Sequence, residues 1–247
     1  MADRRRWLAT AGPVTPVLRW AALVHSVPAE QPWRTGCPHC ATPFTAARGA
    51  LRPTARCPGC GQPIGPPAYL LELVTVLAAG LVAVTVLGGR WSPWAAVALA
   101  GWAAAAVPLT FIDLAVHRLP DRLTLPAAGW VLAWLAVAAV ADGSPTPWLR
   151  AALAALACGL AFALMTLVFG ARGFGLGDAK LALGAGALLG WLGWSAVVAG
   201  LFLAFLGSGL TAAILLAARR VSRRDTLPFG PFLAAGTLAA LAWVGLS

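Results

Sequence analysis

Seven long apolar runs, which begin near residue 68 and continue to the C-terminus, constrain the fold of this chain more than any other feature. Most of them are close to the roughly 20 residues that an α-helix needs to cross a hydrocarbon core of about 30 Å. Because lipid offers no hydrogen bonds to the backbone, such runs cross a bilayer as helices. The runs occupy residues 69–88, 94–113, 124–141, 149–169, 179–193, 195–217 and 229–246.

The composition agrees with a multi-spanning membrane protein. Of the 247 residues, 60% are hydrophobic and only 11% are charged, a balance that a soluble domain of this size does not tolerate. We therefore predict an all-α polytopic membrane protein with about seven transmembrane helices. Eight helices are the alternative, because residues 7–27 form a further apolar stretch, although Pro13, Pro16, Arg19 and His25 interrupt it.

The basic residues predict the orientation of the chain. A net charge of +10 would suggest nucleic acid as a partner in a soluble protein, but here arginines that hold loops in the cytoplasm explain it, so we predict contact with lipid and no nucleic acid. The short loops on the opposite side carry only Arg90 and Arg150. The other basic residues lie in residues 1–67 and in three alternate loops, around Arg118 and Arg122, Arg172 and Lys180, and Arg219, Arg220, Arg223 and Arg224. The chain is thus predicted to sit in the cell (inner) membrane with residues 1–67 in the cytoplasm.

Four cysteines form two C-x-x-C pairs, Cys37 with Cys40 and Cys57 with Cys60, separated by sixteen residues. Each pair presents two thiolates to one metal from a tight turn, and four sulfurs complete the tetrahedral coordination of structural Zn²⁺. We predict a structural zinc site. A rubredoxin-like iron site and a pair of disulfides are the alternatives, and a reducing cytoplasm disfavours the disulfides.

Two aspartates stand where the chain is otherwise apolar. Asp113 ends the second run, and Asp178 follows a Gly-x-Gly turn formed by Gly175 and Gly177 at the start of the fifth run. An ionisable group at bilayer depth costs at least roughly 2.5 kcal/mol, so such groups are usually functional. Both aspartates are predicted at the cytoplasmic ends of their helices. If those ends pack together, the two carboxyl groups can share a proton and hydrolyse a peptide bond, and the glycines would allow close approach of substrate and a positive φ.

Purely structural roles are the alternative for every one of these acids. Asp178 precedes an apolar helix and could be its N-cap, and Asp121 could cap the next span. Asp113 could pair with Arg118 at the interface. Glu72 could pair with an arginine of the cysteine region or support the aspartate site, and the sequence leaves this choice open.

Several separated segments together resemble the type IV prepilin peptidases, membrane aspartyl proteases of the Gly-x-Gly-Asp class. The resemblance extends from the first cysteine to near the C-terminus. Its segments are the two cysteine pairs, Glu72, Asp113, Leu119-Pro120-Asp121, Leu123-Thr124-Leu125-Pro126, Gly173-Phe174-Gly175-Leu176-Gly177-Asp178-Ala179-Lys180-Leu181 and Pro228-Phe229-Gly230-Pro231-Phe232. A lone Gly-x-Gly-Asp is a weak signal, whereas this order and spacing are specific.

The resemblance implies that Asp113 and Asp178 are the catalytic pair of an aspartic endopeptidase. Its substrates would be type IV prepilins or pseudopilins, in which a short basic leader precedes an apolar helix. Asp121 and Lys180 would have supporting roles. Family members with the cysteine module commonly also methylate the new N-terminus with S-adenosylmethionine. The family normally begins with a firm transmembrane helix, whereas residues 7–27 are a poor span, so we favour the peptidase activity over the methyltransferase activity.

We accordingly divide the chain into an N-terminal segment (1–30), a cytoplasmic zinc module (31–67) and a transmembrane aspartyl peptidase domain (68–247). The main alternative is a non-catalytic membrane scaffold or assembly factor that docks a cytoplasmic partner through the zinc module. A proton-relay transporter is disfavoured, because no acidic residue or histidine continues a route toward the outer ends of the helices that carry the aspartates.

Overall fold

Helices account for nearly all of the regular structure in the computed structural model, which describes residues 14–28, 30–44, 52–170, 175–222 and 225–246. Within these ranges the only β-structure is two isolated bridges. The described residues form eight helices, which are α1 (Val14–His25), α2 (Leu70–Leu87), α3 (Pro93–Val116), α4 (Asp121–Ala141), α5 (Thr146–Phe169), α6 (Leu176–Leu192), α7 (Trp194–Ala217) and α8 (Gly230–Leu246).

Helices α2 to α8 correspond one by one to the seven predicted apolar runs, so the prediction of an all-helical membrane fold is confirmed. Helices α2, α3, α4, α5 and α7 are long and apolar enough to cross a membrane. Helices α6 and α8 have 17 residues each, which corresponds to a rise of about 26 Å and lies at the short end of the range for a spanning helix.

The interrupted N-terminal stretch forms α1, whose 12 residues rise only about 18 Å, less than the thickness of a hydrocarbon core. Pro16 is tolerated because it is the third helical residue, where the backbone N–H has no intrahelical partner. Residues 7–13 of the predicted stretch lie outside the described residues, as do Arg172, Arg223 and Arg224. Leu23 of α1 is buried in the same small core as the cysteine pairs.

Helix α6 lies at the centre of the bundle, where it packs against α4, α5, α7 and α8. Its sequence is rich in glycine and alanine, and small residues let helix backbones approach closely in a membrane. A Cβ atom added at Gly186 would lie 2.8 Å from the carbonyl oxygen of Ala154 in α5, and one at Gly184 would lie 2.6 Å from the indole nitrogen of Trp102 in α3. Small residues therefore place α6, and with it Asp178, inside the bundle.

Candidate active site

Asp113 lies in the last turn of α3, and its side chain is only 5% exposed. The backbone N–H of Gly230, the first residue of α8, donates a hydrogen bond of 2.9 Å to Asp113 Oδ2. A helix N-terminus carries unpaired N–H groups and partial positive charge, so it is a favourable neighbour for a carboxylate. The predicted alternative, an ion pair with Arg118, is absent among the described residues.

Gly230 is a site residue to which the sequence analysis gave no role, although it belongs to the Pro228–Phe232 motif. A Cβ atom at this position would lie 2.8 Å from Asp113 Oδ2. Only glycine therefore lets the start of α8 approach the carboxylate this closely. Phe229 is buried beside it, and its ring packs against the rings of Phe162 and Phe205 at centroid distances of 5.5 and 5.1 Å.

Asp178 is the third residue of α6, and 8% of its side chain is exposed. Its Oδ2 atom accepts a hydrogen bond of 2.9 Å from the backbone N–H of Gly175, which is the N-cap of the helix. The capping role considered for Asp178 thus accounts for one carboxylate oxygen. The other oxygen, Oδ1, is buried and has no hydrogen-bond partner within the described part of the chain. Native proteins rarely leave a buried carboxylate oxygen unpaired, so capping alone does not explain this residue.

The two aspartates lie at the same end of the bundle. Helices α3 and α6, which carry them, contact each other and both pack against α8. Aspartic hydrolysis requires two carboxyl groups that can share one proton, and two buried carboxyl groups at one end of a bundle are candidates for such a pair.

The glycines of the Gly-x-Gly turn have a different role from the predicted one. Neither Gly175 nor Gly177 adopts a positive φ, so the expectation of a left-handed turn at these residues is wrong. Gly177 instead gives room to Leu119 from the loop between α3 and α4, since a Cβ atom at Gly177 would lie 2.7 Å from Leu119 Cβ. Gly173 and Phe174 of the same motif lie outside the described residues.

Asp121 and Lys180 form an ion pair, with Lys180 Nζ 2.6 Å from Asp121 Oδ1. The prediction that Asp121 caps α4 is wrong, because Pro120 is the N-cap and makes no side-chain cap bond. Both side chains are partly exposed. Such a pair stabilises a protein by only about 0–1 kcal/mol. It links the start of α4 to α6 near Asp178.

Glu72 pairs with Arg19, a partner that was not among those considered from the sequence. The Arg19 guanidinium donates hydrogen bonds of 2.8 Å to both carboxylate oxygens, and both side chains are almost fully buried. A further bond of 3.1 Å reaches the carbonyl oxygen of Pro66, at the end of the cysteine region. Arg19 belongs to α1 and not to the cysteine module. In the sequence Arg19 is one of the residues that interrupt the apolar stretch 7–27, and an arginine and a glutamate that both stand in apolar surroundings are the signal for such a pair.

The N-terminal segment and the start of the cysteine module also contact the loop that follows Asp113. The Arg118 guanidinium lies 4.7 Å from the centre of the Trp33 ring, within cation–π range. Arg118 also donates a hydrogen bond of 3.2 Å to the carbonyl oxygen of Pro28. Because Leu119, the next residue, packs on Gly177, this contact connects the N-terminal segment with the start of α6. The sequence contained no signal for it.

The four cysteines of the predicted metal site come together. The four sulfur atoms lie within 4.8 Å of one another, with Cys37 and Cys60 3.8 Å apart and Cys40 and Cys57 3.6 Å apart. Four sulfurs at the usual Zn–S distance of about 2.3 Å would be about 3.8 Å apart in a tetrahedron, so the cluster fits a metal ion. All five cysteines are free, and the disulfide alternative is therefore wrong.

The thiols of Cys40 and Cys60 have opposite tendencies to ionise. Hydrogen bonds from the side chain and backbone of Thr42 lower the pKa of the Cys40 thiol to about 6. Despite a hydrogen bond from the Gln62 backbone, burial and the neighbouring thiols raise the pKa of the Cys60 thiol to about 12. The thiolate is the form that ligates metals. The two bridges, Gly36 with Pro43 and Arg56 with Pro63, close the two cysteine turns.

Comparison with known proteins agrees with these observations. Residues 97–217 match the type IV leader peptidase family. A prepilin leader peptidase/N-methyltransferase from Aeromonas hydrophila is 38% identical over 217 residues, which cover 85% of this chain and 71% of that protein. One of the same name from Burkholderia pseudomallei (strain K96243) is 35% identical over 84% of this chain and 66% of its own. One from Neisseria gonorrhoeae is 35% identical over 80% of this chain and 66% of its own. No solved structure matches significantly.

Proposed function

The chain belongs to the type IV leader peptidase family, and from this premise we propose that it removes the leader from type IV prepilins and pseudopilins by aspartic hydrolysis. Asp113 and Asp178 are the proposed catalytic pair. The observation that carries this proposal is that α3 and α6 bring two buried carboxyl groups to the same end of the bundle, where Asp178 Oδ1 has no hydrogen-bond partner among the described residues.

In the proposed reaction the pair holds one proton. The ionised carboxylate takes a proton from a water molecule while the water oxygen attacks the scissile carbonyl carbon, and the protonated carboxyl group donates its proton to the carbonyl oxygen. When the tetrahedral intermediate collapses, the C–N bond breaks and the amide nitrogen leaves with a proton from the pair. The products are the leader, which ends in a carboxylate, and a pilin with a new N-terminal amine. The Gly230 and Gly175 N–H groups hold the two carboxylates in place during these transfers.

The proposed location is the inner membrane, with the catalytic pair and the cysteine module at the cytoplasmic side. Contacts that cluster at one end of the bundle support a common side for these parts: Arg19 with Glu72, Arg118 with Pro28, and Lys180 with Asp121. A basic leader stays in the cytoplasm while the apolar helix of its prepilin lies in the bilayer. Its scissile bond would then be level with both aspartates.

Co-expression with a type IV prepilin tests the proposal directly. We expect mass spectrometry and N-terminal sequencing of the pilin to show loss of the leader when the wild-type protein is present, and an intact prepilin when it is omitted. An uncut cognate prepilin in the presence of folded protein would contradict peptidase function and favour the scaffold alternative.

Methylation of the new N-terminus is the second proposed activity, and it rests on the relatives' name and on the presence of the cysteine cluster. S-adenosylmethionine would be the methyl donor. In the same co-expression we expect cleaved pilin that is heavier by one methyl group. Cleaved pilin without this group would show that the protein acts as a peptidase alone.

We propose that the four-cysteine cluster binds structural Zn²⁺. We expect the purified protein to contain one zinc ion per chain by elemental mass spectrometry, because the cluster has four sulfur donors and no room in its tetrahedral set for a water. Cys57→Ser should lose the metal, whereas Cys158→Ala, which changes the free cysteine of α5, should retain it. Iron in place of zinc would contradict the proposed metal, and metal in Cys57→Ser would contradict the proposed ligands.

Gly230→Ala should impair cleavage, because the new methyl group would push against Asp113 Oδ2. A displacement of about 1 Å at a reacting group can reduce a rate about 10²-fold, so we expect kcat to fall by about that factor. Gly209→Ala is a matched control, since a Cβ atom there meets nothing within 4 Å. Wild-type kcat in Gly230→Ala would show that the close approach of α8 is unimportant for catalysis.

A further inference from the structure

An apolar groove of about 280 Å³ runs along the membrane face of the bundle between α2, α3 and α8. It is lined by residues of 74–81 in α2, 103–110 in α3 and 231–238 in α8. Each range has eight residues and rises about 11 Å, so the groove covers about two turns of helix. Every lining side chain is apolar except that of Thr110.

One end of the groove coincides with the aspartate site. Thr110 lies three residues before Asp113, and residues so spaced share one face of a helix. On the other wall, Pro231 immediately follows Gly230, whose N–H bonds to Asp113. The groove therefore begins beside the Asp113 carboxylate and extends from it toward the middle of the bilayer.

The lining of the groove has the small apolar residues through which membrane helices commonly pack against each other. Its lining includes several alanines, among them Ala78, Ala106 and Ala235, and small residues permit close approach of a second backbone. Leu77 stands at its edge with 57% of its side chain exposed. Burial against a partner helix would cover this residue and fill the groove.

We propose that this groove seats the apolar helix of the prepilin during cleavage. The inference rests on the proposed function, which requires a peptide bond just before an apolar helix to reach Asp113. A helix that lies in the groove and ends near Thr110 presents that bond to the carboxylate. A second apolar groove of about 360 Å³, lined by Ala136, Val140 and Trp148 among others, lacks this continuity with the aspartates and serves as an internal comparison.

Filling the groove tests the proposal. Ala235 is exposed, so Ala235→Leu adds bulk to the groove without entering the core, and Ala136→Leu does the same in the comparison groove. Both variants are assayed in lipid nanodiscs on full-length prepilin and on a soluble peptide that spans the cleavage site but lacks the helix. We expect Ala235→Leu to raise KM for prepilin about tenfold, as extra methylenes do in apolar sites. Cleavage of the peptide, and both activities of Ala136→Leu, should stay unchanged.

Photo-crosslinking gives a second readout that does not depend on activity. A benzophenone side chain introduced at Leu77 should form an adduct with full-length prepilin. The same group introduced at Leu160 of α5, which is 67% exposed, should form none. Adducts at both positions would show unspecific contact with prepilin in the bilayer, and adducts at neither would show that prepilin does not occupy the groove. Either result would overturn the proposal.

The two proposals fail in different ways. If the wild-type protein cleaves neither substrate, the proposed function is wrong. If the wild-type protein cleaves both prepilin and the peptide, and Ala235→Leu cleaves prepilin as well as the wild type does, then the proposal about the groove is wrong while the peptidase function stands. Loss of peptide cleavage in Ala235→Leu would indicate damage to the site and would also count against a role in docking.

Discussion

Asp113→Asn and Asp178→Asn should each reduce prepilin cleavage by at least about 10²-fold, because an amide can neither take a proton from water nor donate one as a carboxylic acid does. We expect the two variants to lose cleavage activity to a similar degree, since the two carboxyl groups share one proton and act as a unit. The measurement is the rate of leader removal from a purified prepilin in lipid, followed by mass spectrometry.

Both asparagine variants should still fold. An asparagine side-chain oxygen can still accept the Gly230 N–H at position 113 or the Gly175 N–H at position 178, so the contacts that locate both side chains remain. Asp142→Asn is the control for loss of a carboxylate, because Asp142 is exposed at the opposite end of α4. Wild-type cleavage by either asparagine variant would refute the two-aspartate mechanism.

Arg19→Ala should produce a large loss of stability. The change leaves Glu72 buried without its cation, and breaking a buried ion pair in this way typically costs about 3–5 kcal/mol. We expect a lower midpoint of thermal unfolding in detergent and less folded protein in the membrane. The pair also connects α1, the end of the cysteine region and α2, so cysteines of the module should become more reactive to thiol reagents.

Two further variants test whether the expected loss of stability comes from leaving one charge of a buried ion pair without its partner. Lys180→Ala breaks the exposed pair with Asp121 and should change stability by only about 0–1 kcal/mol. In the double variant Arg19→Met with Glu72→Leu, apolar side chains replace both charges, and much of the lost stability should return. If Arg19→Ala is as stable as Lys180→Ala, then the Arg19–Glu72 pair does not stabilise the fold as we infer.

The N-terminal segment, the cysteine module and the aspartate site form one connected structure. Pro28 and Trp33 both contact Arg118, and Leu119 beside it packs on Gly177 at the start of α6. The division of the chain into domains at residues 30 and 67 remains a prediction. Leu23 packs with the cysteine module, and Arg19 bonds to Pro66 and Glu72, so the N-terminal segment contacts both of the other parts.

Local patterns in the sequence determined the helices and the cysteine cluster. An apolar run of about 20 residues must satisfy its own backbone, so it becomes a helix whatever surrounds it. Two C-x-x-C turns bring their sulfurs together because each turn already presents two of them. The Gly-x-Gly-Asp motif likewise marked Asp178, because a carboxylate at bilayer depth is costly wherever the helix lies.

Only the tertiary structure decided which helix faces meet. Lipid and protein core are both apolar, so the hydrophobic pattern of a membrane helix does not reveal its buried side, and small residues such as Gly184 and Gly186 select the partners. The Gly230 N–H thus reaches Asp113 across 117 positions of sequence, and Arg19 reaches Glu72 across 53. These contacts depend on how whole helices pack, and no local pattern specifies them.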